Sequence, residues 1–97
     1  MKKYELSLNC SWQEIRDCDV IFVLNRKKGL FSYFTDSGYF IFRLISEGKE
    51  YSEIINTCQQ KYDVDYSFLV KSVDSFINQL LEEEITDWLA KEKNTLK

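Results

Sequence analysis

Residues 20–34 read VIFVLNRKKGLFSYF, two apolar runs separated by a basic loop that ends in glycine. Both runs are rich in β-branched and aromatic residues, which favour strands. A loop of this length with Gly29 at its end suits an antiparallel hairpin. The stretch therefore predicts two neighbouring strands, residues 20–24 and 30–34, with the first of them at the centre of a small sheet.

The segment before this hairpin alternates between apolar and polar residues, which is the period of a strand with one solvated face. Its apolar members are Tyr4, Leu6, Leu8, Cys10 and Trp12. We predict an extended N-terminal arm over residues 1–10, a short strand over residues 12–16 and a turn at residues 17–19.

Beyond residue 36 the period becomes helical. The first helix is predicted over residues 37–46 and ends at Gly48, which can adopt the left-handed terminal conformation. Its predicted buried residues are Phe40, Ile41, Leu44 and Ile45. Ser52 is the predicted cap of a second helix that ends near Asp63.

Asp65 is the predicted cap of the third and longest helix. The apolar stripe of this helix covers about 140°, which is wide for a helix that packs on a single partner. One flank carries Phe68, Ser72, Phe76 and Gln79. Phe68 lies outside the core arc, and it either shields neighbouring side chains or lines a groove.

Strands precede helices along the chain, and this segregation is typical of an α+β fold with the helices on one side of a small sheet. At 97 residues the chain is expected to form a single domain, residues 1–97, around one core. The mostly charged residues 86–97 are predicted to form a C-terminal tail that contains a short appended helix.

The charge balance opposes binding to nucleic acid, because 13 basic against 16 acidic residues leave a net charge of −3. The longest apolar run, residues 20–24, is far too short to span a membrane, and no signal segment is visible. We therefore expect a cytoplasmic protein with neither nucleic acid nor a membrane as its partner.

Residues that carry catalysis or bind metals are scarce. The chain has no histidine, no glycine-rich phosphate loop and no C-x-x-C pair. Cys10, Cys18 and Cys58 are expected to be small buried or half-buried apolar residues. We predict no catalytic residue, no metal site and no cofactor, and hence a protein that is not an enzyme.

The strand at residues 30–34 has an edge that nothing in its sequence protects, since it contains neither proline nor lysine. If it lies at the margin of the sheet, its unpaired backbone groups can accept another strand. Peptides bind sheet edges in this way, with main-chain hydrogen bonds for affinity and alternate side chains for specificity. The alternative is that the N-terminal arm of the protein covers this edge.

Residues 12–85 resemble the PqqD-like family, the peptide-recognition elements found with enzymes that modify ribosomally made peptides. The resemblance rests on the glycine-aromatic strand at residues 29–35, the helix at residues 38–45 and the link Tyr62-Asp63-Val64-Asp65. In the third helix the matching residues are Leu69, Val73, Phe76 and Leu80. The chain departs from the family at Ser72, where Asp is usual, and at Glu84, where Gly is usual.

The resemblance implies three antiparallel strands followed by three helices, a fold related to the winged helix-turn-helix. It also implies that the leader of a precursor peptide adds as a fourth strand between the third strand and the third helix. The implied peptide-binding residues are Leu30, Phe31, Ser32, Tyr33 and Phe34 on one wall and Phe68, Leu69, Ser72, Phe76 and Gln79 on the other. The second partner would be a separate modifying enzyme, such as a radical-SAM enzyme, a leader peptidase or a cyclase.

Two other functions use the same elements. A winged-helix DNA-binding regulator should expose Lys and Arg on one helix, whereas the outward positions of the third helix are mostly acidic or neutral, with Lys71 as the exception. A structural dimerisation module would pair the N-terminal arm with its counterpart in another copy. We expect a monomer or a weak homodimer.

Overall fold

The computed structural model describes residues 4–88. The elements follow in the order β1 (Tyr4–Leu6), β2 (Cys10–Ile15), β3 (Val20–Asn25), β4 (Leu30–Thr35), α1 (Asp36–Ser46), α2 (Tyr51–Lys61), α3 (Tyr66–Glu82) and β5 (Thr86–Trp88). A short 3-10 turn, Arg16–Cys18, joins β2 to β3. The predicted α+β class is confirmed, with a three-stranded antiparallel sheet and three helices.

The sheet has the order β2-β3-β4, and both pairings are antiparallel, so the predicted central strand is correct. Phe34 of β4 is buried and faces the helices, whereas Phe31 and Tyr33 are exposed. Because side chains alternate along a strand, Leu30 and Ser32 share the inner face with Phe34. The inner face of β4 therefore lies toward the helices, and its outer face toward solvent.

The turn between β3 and β4 requires glycine at its last position. The Gly29 N–H donates to the Asn25 carbonyl at 2.8 Å, and Gly29 has a φ of 67°. This left-handed conformation is unfavourable for residues that carry a Cβ atom. The predicted hairpin and the predicted role of Gly29 agree with this geometry.

Helix α1 lies across the inner face of the sheet, and Phe42 is its central contact. The Phe42 ring is fully buried, 5.5 Å from the ring of Trp12 and 5.8 Å from that of Phe34. The predicted burial of Ile41, Leu44 and Ile45 is correct. Phe40 is only half-buried, whereas Tyr39 and Phe42 are buried. The sheet explains this difference, because Tyr39 bonds to Glu14 of β2 and Phe42 packs against rings of β2 and β4.

The helix caps agree with prediction in one case and differ in another. Asp65 caps α3 as predicted, since its carboxylate accepts a hydrogen bond from the Ser67 N–H at 3.1 Å. Helix α2 begins at Tyr51, so Ser52 lies inside it and is not its cap. Glu50 caps α2 instead, in a reciprocal capping box with Glu53, which satisfies the free backbone donors of the first turn.

The two ends of the described chain pair with each other. Strand β1 is antiparallel to β5, with Tyr4 opposite Trp88. The predicted tail helix is therefore wrong for Thr86–Trp88, because these residues gain backbone hydrogen bonds from β1. The rest of that prediction, residues 89–97, and the first three residues of the predicted arm lie outside the described residues.

The N-terminal arm is interrupted, so the alternating run forms two strands instead of one. Strand β1 ends at Leu6, and the Ser7 N–H donates to the Ile85 carbonyl at 2.8 Å before β2 begins at Cys10. Tyr4 is buried in the core, and burial raises the pKa of its hydroxyl to about 12. The arm is thus attached to the body of the protein.

Cys58 is buried and Cys10 is half-buried, as expected, but Cys18 is exposed in the 3-10 turn. The expectation for Cys18 was wrong, because no residue of this turn is buried. Within residues 4–88, no helix has both the length and the apolar character needed to cross a membrane.

Candidate functional site

The outer edge of β4 is open in the part of the chain that the structure describes. Strand β4 pairs with β3 along all six of its residues, and no described strand lies on its other side. The N-terminal arm pairs with β5 instead, so the alternative that this arm covers the edge is wrong for the described residues. The strand reads LFSYFT and carries no charge that would discourage another strand from pairing.

The C-terminal half of α3 runs beside this edge. The Phe76 ring packs edge-on against the Phe34 ring at 5.2 Å. At the other end of β4, the Asn25 side chain, opposite Leu30 in the sheet, donates to the Glu83 carbonyl at 2.9 Å. The helix and β4 are therefore antiparallel neighbours, and we call the space between their side chains the groove.

Gly38 allows the close approach of α3 at the end of this groove. A Cβ atom at position 38 would lie 3.1 Å from the Phe76 ring and 3.5 Å from the Cβ of Phe34. Both distances concern side chains that form the groove wall, so a larger residue would push Phe76 outward. The glycine thus has a packing role, in addition to its place near the start of α1.

A cavity of about 260 Å³ lies among α1, α2, α3 and the link before α3, and we call it the anchor pocket. It adjoins β4 through Phe76, which lines the cavity and packs against Phe34. Its lining consists of Ser37, Ile41, Cys58, Tyr62, Val64, Phe68, Leu69, Ser72, Val73 and Phe76. Burial raises the pKa of the Cys58 thiol, so this side chain stays neutral at ordinary pH. Most of the residues that line the anchor pocket are apolar or aromatic, so the pocket suits a bulky apolar side chain.

The implied binding residues fall into three groups in the structure. Phe68, Leu69, Ser72 and Phe76 meet in the anchor pocket. Leu30, Ser32 and Phe34 lie on the inner face of β4, toward the groove, although Phe34 is largely covered. Gln79 is exposed further along α3, where its amide donates to the Glu83 carboxylate at 3.3 Å.

Phe31 and Tyr33 do not face α3. They lie on the outer face of the sheet, where the Phe22 ring is 5.5 Å from that of Phe31 and 6.2 Å from that of Tyr33. Both side chains are more than 60% exposed, at 63% and 65%. The implied wall of five successive β4 residues is therefore divided between two faces of the sheet.

Sequence reasoning did not identify several residues of this site. Tyr62 and Val64, from the link before α3, and Ile41 of α1 line the anchor pocket. Their spacing in the sequence indicated core or linker positions only. Phe68, which the helical period singled out, is 60% exposed and lines the pocket.

The turn end of the groove is charged. Lys27 and Lys28 lie 3.4 and 3.6 Å from the Glu84 carboxylate, and the hydrogen bond from Lys27 is the main cause that lowers the pKa of Glu84. Glu84 has a φ of 60° at the position after α3 that glycine usually occupies. The two lysines thus contact the residue that adopts this left-handed conformation after α3.

The carboxylate of Glu14, in β2, has a structural role. Glu14 accepts a hydrogen bond from the Tyr39 hydroxyl at 2.5 Å, and this bond raises the pKa of Tyr39. The same carboxylate lies 3.6 Å from the Arg43 Nε, so it joins β2 to α1. Among the described residues, no group of three His, Cys, Asp or Glu side chains is arranged to hold a metal ion.

Comparisons with known proteins agree with this geometry. The family model described as coenzyme PQQ synthesis protein D (PqqD) matches residues 21–85, which is well over half of the chain. The chain belongs to the PqqD family. This confirms the resemblance that the hairpin, the link and the third helix indicated.

A solved structure, TbiB1 in complex with the TbiA(beta) leader peptide, shares this PqqD fold with a TM-score of 0.80. The two chains are 23% identical, and the match covers 86% of this chain and 94% of that one. No curated protein gives a significant match to the chain.

Proposed function

We propose that this PqqD-family protein binds the leader segment of a ribosomally made precursor peptide as a fourth strand on β4. The observation that carries the proposal is the open, uncharged edge of β4 beside the anchor pocket. The similar fold of TbiB1, which was solved with a leader peptide, supports it. Main-chain hydrogen bonds to β4 would supply affinity, and the pocket would supply selectivity.

A strand added to β4 would place its side chains alternately on the two faces of the sheet. One set would enter the groove beside Leu30, Ser32 and the α3 flank, and the other would lie beside Phe31 and Tyr33. These four β4 residues would therefore all lie beside the peptide, although they belong to different faces of the sheet. Because Ser72 stands where the PqqD-like pattern usually has Asp, we expect the choice among peptide side chains to rely on apolar contacts.

The partner enzyme would carry out the chemistry. We propose a radical-SAM enzyme, a leader peptidase or a cyclase that acts on the peptide while this protein holds the leader. The contribution of this protein would be the effective concentration and the register of the substrate. The outer face of the sheet leaves alternate peptide side chains exposed, so the bound leader remains accessible to such a partner.

Binding to DNA is disfavoured by the exposed side of α3. Asp74 and Glu82 lie there together with the neutral Asn78, and Lys71 is the cation of this surface. Phosphate groups would be repelled by such a surface. A gel-shift experiment at low salt is expected to give no duplex complex, and a tight complex would favour the DNA-binding alternative.

Strand addition is tested by amide hydrogen exchange on ¹⁵N-labelled protein. The probes are fluorescein-labelled synthetic peptides from the short reading frames beside the gene, with the TbiA(beta) leader as a reference. We expect alternate amides of β4 (Leu30–Thr35) to gain protection when a peptide binds, because only every second N–H points away from β3. Binding without protection in β4, or no binding by any probe, contradicts the proposal.

Truncation of Phe68 should weaken peptide binding. Phe68 lines the anchor pocket, and we expect Phe68→Ala to raise the Kd roughly tenfold, as truncating an aromatic contact residue often does. Tyr66→Ala is the matched control, because Tyr66 is equally exposed, at 61% against 60%, and does not line the pocket. Fluorescence anisotropy measures the Kd of each variant for the labelled peptide. Equal effects of the two substitutions would exclude the pocket as an anchor site.

A further inference from the structure

Asn25 is buried and uses both ends of its side-chain amide. Its Oδ1 accepts hydrogen bonds from the Lys27 and Lys28 N–H groups at 3.1 and 3.2 Å. Its Nδ2 donates to the Glu83 carbonyl at 2.9 Å. Only 3% of the residue is exposed, so water cannot easily replace these bonds.

The two ends of this amide serve different parts of the molecule. The Oδ1 atom organises the β3–β4 turn, because an Asn side chain commonly accepts from backbone N–H groups two and three residues ahead. The Nδ2 atom donates to the carbonyl of Glu83, the C-terminal capping residue of α3, which has no donor within the helix. A single side chain thus connects the hairpin to the end of α3.

This connection lies at one end of the groove. Asn25 is opposite Leu30, the first residue of β4, while Phe34 and Phe76 are in contact at the other end. Between these two points, the inner face of β4 and the α3 flank are the walls of the groove that the peptide side chains would enter. The Asn25 amide is therefore the buried side-chain hydrogen bond that holds the hairpin to the end of α3 at the turn end of the groove.

We propose that Asn25 is a positioning residue that sets the width of the groove and thereby the affinity for the peptide. This inference rests on the proposed peptide-binding function. Asn25 itself need not touch the peptide, since it is buried behind the turn. The Lys27 and Lys28 ion pairs with Glu84 connect the same segments, but these side chains are exposed and such pairs contribute little.

The substitution Asn25→Asp separates the two roles of the side chain. A carboxylate can still accept from the Lys27 and Lys28 N–H groups, so the turn is retained. The carboxylate cannot donate a hydrogen bond to the Glu83 carbonyl. One of its oxygens would instead face the Glu83 carbonyl oxygen and repel it. The expected result is that the end of α3 moves away from the hairpin while the turn keeps its conformation.

The binding probe is a fluorescein-labelled peptide selected from a displayed random library against the wild-type protein, and chosen because it protects β4 amides. We expect Asn25→Asp to raise the Kd for this peptide roughly tenfold, which is the effect of losing one buried hydrogen bond. The amides of Lys27 and Lys28 should stay protected from exchange. Ile54→Val, a buried change in α2 away from the groove, is the control for general destabilisation and should leave the Kd unchanged.

A second measurement needs no peptide. Residual dipolar couplings of the backbone N–H groups report the orientation of β4 relative to α3, and we expect Asn25→Asp to change it while Ile54→Val does not. Unchanged couplings and an unchanged Kd would overturn the inference, as would an equal loss of affinity in both variants. If the couplings change but no peptide binds the wild-type protein, the proposed function fails and the structural role of Asn25 stands.

Discussion

Phe42→Ala is expected to lower the free energy of unfolding by about 3–5 kcal/mol, the usual cost of removing a buried aromatic ring. Phe42 has no exposed surface and packs between Trp12 of β2 and Phe34 of β4. Its loss leaves a cavity between α1 and the sheet. Because a small domain is stabilised by only about 5–15 kcal/mol, this variant should be close to unfolding.

Urea denaturation followed by circular dichroism measures this effect. Phe31→Ala is the control, because Phe31 is an equally large ring that is 63% exposed on the opposite face of the sheet. Its stacking on Phe22 is expected to contribute about 1 kcal/mol or less. If both variants lost the same stability, α1 would not cover the inner face of the sheet.

The core and the groove share side chains, and this affects how the protein can be altered. Phe34 contacts Phe42 on one side and Phe76 on the other, so a row of rings leads from α1 to the groove. Because packed interiors leave few voids, a change at Phe42 displaces Phe34 and with it the groove wall. Substitutions that test binding should therefore avoid Phe34 and Phe76 and use the exposed residues of the site.

The sequence was sufficient where local signals decide the structure. The hairpin follows from two β-rich runs and Gly29, and the start of α3 follows from Asp65, whose carboxylate accepts from a backbone N–H two residues later. The flank with Phe68 followed from the helical period alone. Each of these features depends on residues that lie close together in the chain.

Other features depend on partners that are distant in the chain, and no local pattern reveals them. Strand β5 forms because β1, about 80 positions earlier in the chain, supplies the hydrogen bonds. The role of Asn25 requires Glu83, 58 residues away. Alternation along β4 divides its residues into two sets, but only the packing of Phe34 on Phe42 decides which set faces the helices.

Ser72→Trp is expected to abolish most of the peptide binding without affecting the fold. Ser72 is exposed on α3 and lines the anchor pocket, so an indole at this position would occupy much of its volume of about 260 Å³. A peptide side chain could then enter only by displacing that indole. We expect the Kd to rise at least tenfold, roughly the loss of a central interface contact.

The Ser72→Trp substitution should change the free energy of unfolding by only about 0.5 kcal/mol, because Ser72 is exposed. Ser75→Trp is the matched control: Ser75 is also an exposed serine of α3, but it lies on the acidic surface beside Asp74 and Asn78 and does not line the pocket. Fluorescence anisotropy with a peptide that protects β4 amides measures both Kd values, and urea denaturation measures both stabilities. Equal affinity of the two variants would mean that the peptide pairs with β4 without using the pocket, so selectivity would have to come from the outer face of the sheet.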